Sequence, residues 1–129
     1  LLCEYPLFPG VGASVRPVGV FNMTDDAGSD AKVIVVPAKD PRWDWIQDVN
    51  DIPEFRRKEI EHFFEHYKDV EPNKWVKTEG WGDAAEAEAI IIAGLEKFAA
   101  EGHPGPRWTR RANRGQPAGP PPLPGPETP

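Results

Sequence analysis

Three aspartates and a lysine crowd into a turn-like stretch, Met23-Thr24-Asp25-Asp26-Ala27-Gly28-Ser29-Asp30-Ala31-Lys32, between the β-branched runs Val15 to Phe21 and Val33 to Val36. Apolar runs on either side of a Gly-containing bend predict a hairpin. Alternate strand side chains face one way, so Asp30 and Lys32 share a face at the start of the outgoing strand. Asp25 ends the incoming strand, and Gly28 supplies the positive φ of the turn. Two carboxylates and an ammonium then meet at one hairpin mouth. One or two carboxylates can hold Mg²⁺ when phosphate oxygens and water complete its shell, and a lysine offers a point charge to the same phosphate. On composition alone, the same acids more often just solvate a Gly-containing turn. Ala27 argues against a calcium loop, because it breaks the spacing of acids that an EF-hand needs.

A helix is predicted next to this hairpin. Asp51 reads as its N-cap, Pro53 as a first-turn residue and Glu54 as the partner in a capping box, with the helix running to about Tyr67. Ile60, Phe63, Phe64 and Tyr67 fall at i, i+3, i+4 and i+7, which gives one apolar and aromatic face. At its end the Tyr67 hydroxyl and the Lys68 ammonium stand side by side. They suit phosphate oxygens as a donor pair; the alternative is a core tyrosine followed by a lysine that complements the helix dipole. His62 and His66 lack a third ligand and read as exposed helix residues. Arg16 precedes Pro17, so it is extended, and by itself it suits a solvated strand residue as well as a functional one.

Three separated motifs, in this order, carry a family resemblance: Arg16-Pro17-Val18-Gly19-Val20, then Met23 to Gly28 with Asp30-Ala31-Lys32, then His62-Phe63-Phe64-Glu65-His66-Tyr67-Lys68-Asp69. The chain resembles the soluble family I inorganic pyrophosphatases of bacteria from about Phe8 to about Phe98. The resemblance implies hydrolysis of inorganic diphosphate to two orthophosphates by water activated on several Mg²⁺ ions. It implies an α+β, mainly β fold, a small distorted OB-like barrel with two flanking helices. By residue match, Asp25 and Asp30 would ligate Mg²⁺, and Asp30 would also help deprotonate the attacking water. Arg16, Lys32, Tyr67 and Lys68 would bind the phosphates. The family's aspartate-rich D-G-D-P-x-D turn belongs upstream of Leu1, as do a Lys, an Arg and a Tyr that bind substrate. The expectation is therefore the C-terminal part of such an enzyme, its barrel incomplete at the N-terminal side, inactive or nearly so alone and inclined to aggregate. Bacterial members are commonly hexamers, so a homo-oligomer is expected.

The rest of the chain frames these residues. Its 129 residues, 39% of them hydrophobic, suffice for one domain, assigned to residues 1–102. A strand from Val11 to Phe21 is expected to meet a sheet edge or a bulge at Pro17, and Val33 to Val36 reads as a strand buried on both faces. Asp40 to Asn50 reads as a loop packed by Trp43 and Trp45, and Lys74 to Lys77 as a short strand. Gly80 and Gly82 should turn the chain into a last helix, capped by Asp83 with Glu86 and stopped at Gly102. Ile91, Leu95 and Phe98 should dock that helix on the barrel. Nine prolines from Pro104 onward mark residues 103–129 as a disordered or polyproline tail. A second reading follows from that tail: a non-catalytic barrel remnant that recruits a partner through it.

The net charge of −6 divides into +3 on residues 102–129 (four Arg, one Glu) and −9 on residues 1–101. An acidic body argues against nucleic-acid binding. No apolar run is long enough for a membrane span or a signal-peptide core, and Cys3 has no partner for a disulfide, so a cytoplasmic location is expected.

Overall fold

A computed structural model describes residues 1–102; the proline-rich tail predicted for 103–129 lies outside the described residues. The chain divides after Ala93 into two compact units. The first contains strands β1 (Val15–Asp25), β2 (Gly28–Ser29), β3 (Lys32–Pro37) and β4 (Val76–Gly82), helix α1 (Glu54–His66) and the beginning of α2 (Ala84–Ala100). The described part of the second is the continuation of α2 from Gly94 and the turn at Glu101 and Gly102.

All four strands form one antiparallel sheet in which β2, β3 and β4 each pair with β1. The hairpin expected from the sequence is present, with Asp25 opposite Gly28 at its tip and Gly28 at φ 120°. That conformation costs a glycine little and a side-chain-bearing residue much. The bulge expected at Pro17 is also present, as a register shift between Pro17 and Gly19 against β3. The sheet is open among the described residues, and no barrel closes there. Outside the β3 edge, the Leu2 N–H donates to Val35 O at 2.8 Å.

β1 is buried on both faces from Val18 to Phe21 and then alternates, with Met23 and Asp25 turned inward and Asn22 and Thr24 half-exposed. Val18, Ile34, Val36, Ile46, Val49 and Ile52 form the core beside it. Ile46 and Val49 come from the segment expected to be an irregular loop and Ile52 from just beyond it, a stretch that forms short 3₁₀ turns at Pro41–Trp43 and Val49–Asp51. Trp43 packs on the core as expected, whereas Trp45 is exposed, its indole N–H bonded to Arg42 O.

Four expectations about elements need correction. β3 is buried on one face only: Ile34 and Val36 point in, and Val33 and Val35 are half-buried, because little covers the other side. Asp51 does not cap α1. Its carboxylate accepts the Gln47 and Asp48 N–H groups, closing the preceding 3₁₀ turn, and α1 starts behind Pro53 with no side-chain cap. Gly80 and Gly82 do not leave the sheet; β4 runs through both, and Gly82 allows the close approach of β1, since a Cβ there would lie 2.8 Å from Val20 Cγ1. Finally, Ile91, Leu95 and Phe98 are exposed, and Ala87 is the one buried residue of α2. Helical spacing defines a face, but does not by itself bury it.

Candidate active site

The end of β1, the turn after it and the C-terminal end of α1 meet at a cluster of charges. Asp25 is the one buried charged residue among those described, 6% exposed. The parity of β1 puts it there: two residues beyond Met23 and four beyond Phe21, it takes an inward position at the end of an apolar row. Its Oδ1 accepts the Ala27 N–H at 2.7 Å, and its Oδ2 accepts from Lys68 Nζ at 2.5 Å. The ammonium beside it and, after that, the Ala27 N–H hold the Asp25 carboxyl below the usual carboxylate range, so it is ionised at neutral pH. Lys68 is correspondingly pushed up, first by its hydrogen bond to Asp25, and stays protonated.

Asp30 and Lys32 do share a face, with Lys32 Nζ 2.7 Å from Asp30 Oδ2. Side-chain contacts link them to the buried pair. Lys32 Nζ lies over the Phe64 ring, 5.3 Å from its centroid; Phe64 meets Tyr67 edge-on at 5.7 Å; and Lys68 Nζ is 5.7 Å from the Tyr67 ring. Phe64 also stacks on Phe21 of β1 at 6.1 Å, which docks α1 and fixes where its end delivers Tyr67 and Lys68. Of the predicted aromatic face, Ile60, Phe64 and Tyr67 are half-buried and Phe63 is exposed. Tyr67 itself ends the helix, its N–H bonded to Phe63 O.

Arg16 lies on another part of β1, opposite Val36, and no described contact joins it to Asp25. Its Nη2 is buried and has no hydrogen-bond partner among the described residues, leaving a donor suited to an oxyanion. His62 and His66 are exposed, as expected, and stack on each other at 4.3 Å.

Asp26 and Lys74 belong to this cluster and were not singled out from the sequence. Lys74 Nζ is 2.5 Å from Asp26 Oδ2, and Lys68 Nζ is 3.5 Å from Asp26 Oδ1. The ammonium of Lys74 holds the Asp26 carboxyl low. The signal is the pairing of β4 with β1, Asp25 opposite Val76, which carries the residues just before Val76 to the turn.

An ionised carboxylate is the hard oxygen donor that Mg²⁺ takes, and one or two of them can suffice when substrate and water fill the shell. Asp25 fits that role. Among the described residues, no group of three His, Cys, Asp or Glu side chains gathers into a fuller metal cage.

The sequence profile of the inorganic pyrophosphatase family matches residues 1–99. The chain belongs to that family. An inorganic pyrophosphatase of Leifsonia xyli is 67% identical over 103 residues, which are 80% of this chain and 63% of that protein. One from Escherichia coli K12 is 54% identical over 95 residues, 72% of this chain and 54% of that protein. The crystal structure of the Thermus thermophilus inorganic pyrophosphatase superposes with a TM-score of 0.73 at 48% identity, covering 76% of this chain and 57% of that one. The chain thus spans little more than half the length of the pyrophosphatases it matches. The likeness bears out the fold class, mainly β with two helices. No helix among the described residues is long and apolar enough to cross a membrane.

Proposed function

We propose that this chain carries part of the centre with which an inorganic pyrophosphatase hydrolyses inorganic diphosphate to orthophosphate. The observation that carries the reading is the buried Asp25–Lys68 pair, joined through Tyr67 and Phe64 to the Asp30–Lys32 pair. Family membership supports it, since the matched residues 1–99 include every one of these side chains.

In this reading Asp25 and Asp30 are the Mg²⁺ ligands. Bound Mg²⁺ would supply charge neutralisation on the diphosphate and a water of lowered pKa. Asp30, at the mouth of the turn, would accept a proton from the attacking water. Lys32 and Lys68 would bind and neutralise phosphate oxygens, the Tyr67 hydroxyl would donate to them, and Arg16 would offer its unpartnered guanidinium nitrogen. The aromatic contacts of Phe64 with Lys32 and Tyr67 hold these donors in fixed relation, which limits the entropy lost on binding. A cytoplasmic homo-oligomer, a hexamer as in bacterial members, completes the proposal. The partner-recruiting alternative gains nothing from the match, which covers the charged cluster and stops short of the tail.

The decisive measurement is equilibrium binding of radiolabelled diphosphate to the 129-residue chain with and without Mg²⁺, followed by assay of phosphate release. Binding that requires Mg²⁺ and falls at least about ten-fold in Lys32→Met, the loss of one charged phosphate contact, is expected. Turnover should stay low, because three carboxyl ligands do not gather among the described residues. Absence of any Mg²⁺-dependent diphosphate binding would overturn the reading.

A further inference from the structure

Asp26 and Lys74 have no part in the reaction as proposed, yet they stand directly behind it. Lys68 Nζ is 2.5 Å from Asp25 Oδ2 and 3.5 Å from Asp26 Oδ1, so one ammonium is already within ion-pair reach of two carboxylates. The second oxygen of Asp26 is taken by Lys74 at 2.5 Å. Side-chain exposure rises along the row, from 6% at Asp25 and 16% at Lys68 to 23% at Asp26 and 39% at Lys74. The innermost carboxylate is thus occupied by an internal cation, with a second carboxylate waiting on the solvent side.

A divalent cation arriving at Asp25 competes with that ammonium for the same oxygen and repels it. The amine must move, and Asp26 Oδ1 is the acceptor nearest to hand among the contacts described. Lys74 bonds the other oxygen of Asp26 and so keeps the carboxylate from turning away. With no such receiver, the displaced ammonium would stay beside the metal, where like charges repel.

We propose that Asp26, anchored by Lys74, is a positioning residue that takes over the Lys68 ammonium when a divalent cation occupies Asp25, turning Lys68 from a carboxylate partner into a donor for phosphate. The proposal rests on the reading of Asp25 as cation ligand and Lys68 as phosphate contact. It makes the site fill in order: cation first, anion second.

The test uses the full chain with isotope-labelled lysine and aspartate side chains followed by NMR, together with Mn²⁺ affinity measured by electron paramagnetic resonance. In the wild type, Mg²⁺ should shift the Asp25, Lys68 and Lys74 signals with one common midpoint. Lys68→Met should tighten Mn²⁺ binding by about ten-fold, the effect of removing one competing charge at a partly screened site. Asp26→Asn should weaken Mn²⁺ binding and abolish the shift at Lys74, and Asp26→Glu should restore both. In the Lys68→Met background Asp26→Asn should have little further effect, whereas a general electrostatic role of Asp26 would persist there. If Asp26→Asn fails to fold, Asp26→Gln, which also removes the charge and keeps a polar side chain, should weaken Mn²⁺ binding in the same direction. Equal Mn²⁺ affinity in wild type and Lys68→Met, with Asp25 still responding, would overturn this proposal alone. No response of Asp25 to Mg²⁺ or Mn²⁺ in any variant would overturn the reading of the site as well.

Discussion

Asp25 is an acid in a place that the alternation of β1 reserves for apolar side chains, and Lys68, 43 residues away, is what makes it tolerable there. Its folded-state pKa is depressed, so the pair stabilises the fold above the ordinary carboxylate value of 3.8. That contribution is lost as pH falls below 3.8 and through the lower folded value. The denaturation midpoint should therefore hold steady from neutral pH to about 4 and drop below it. Asp25→Asn should flatten that acid limb and lower stability at neutral pH, where the Lys68 ammonium loses the nearer of its two carboxylate partners. Asp26, depressed by Lys74, and Asp40, depressed by Arg42, keep part of the limb in the variant. Asp25, Asp30 and Lys32 were legible in the sequence because one hairpin sets them. The Asp25–Lys68 contact was not, because it depends on Phe64 docking α1 against Phe21, a tertiary event with no local spacing.

At the scale of elements, local chemistry read true where neighbours in sequence are also neighbours in space. Asp83 accepts the Glu86 N–H at 2.8 Å, as a cap should. Asp83→Ala should cost about 1 kcal/mol, seen as a lower midpoint in urea with an unchanged slope. The reading failed where tertiary partners intervened. Glu86 did not return to its cap but accepts from Asn22 of β1 at 2.7 Å, and Asp51 was drawn into the preceding turn. Gly82 was misread as a turn because its role is close packing against the Glu86 carboxylate and Val20, which no propensity encodes. Gly82→Ala should destabilise by about 1–3 kcal/mol through overpacking, measurable in the same denaturant series.

At the scale of the molecule, apolar side chains remain in water. Ile92 is 55% exposed and Leu95 64%, and the sheet stays open at its outer strands. The 129-residue chain should therefore self-associate in a concentration-dependent way, read by light scattering on a sizing column, and Ile92→Glu with Leu95→Glu should reduce it. A mainly β architecture was visible in the β-branched runs around the bend; the openness of the sheet followed from the family resemblance, which places barrel strands upstream of Leu1, and not from composition, because closure depends on strand pairing rather than on residue type. One feature of that sheet governs how it comes apart. Since β2, β3 and β4 each pair with β1 and with no other strand, no pair of them can survive its loss. Amide protons of β3 and β4, which never touch across the sheet, should exchange with deuterium through one shared opening event, so that a substitution weakening the middle of β1 accelerates both by the same factor.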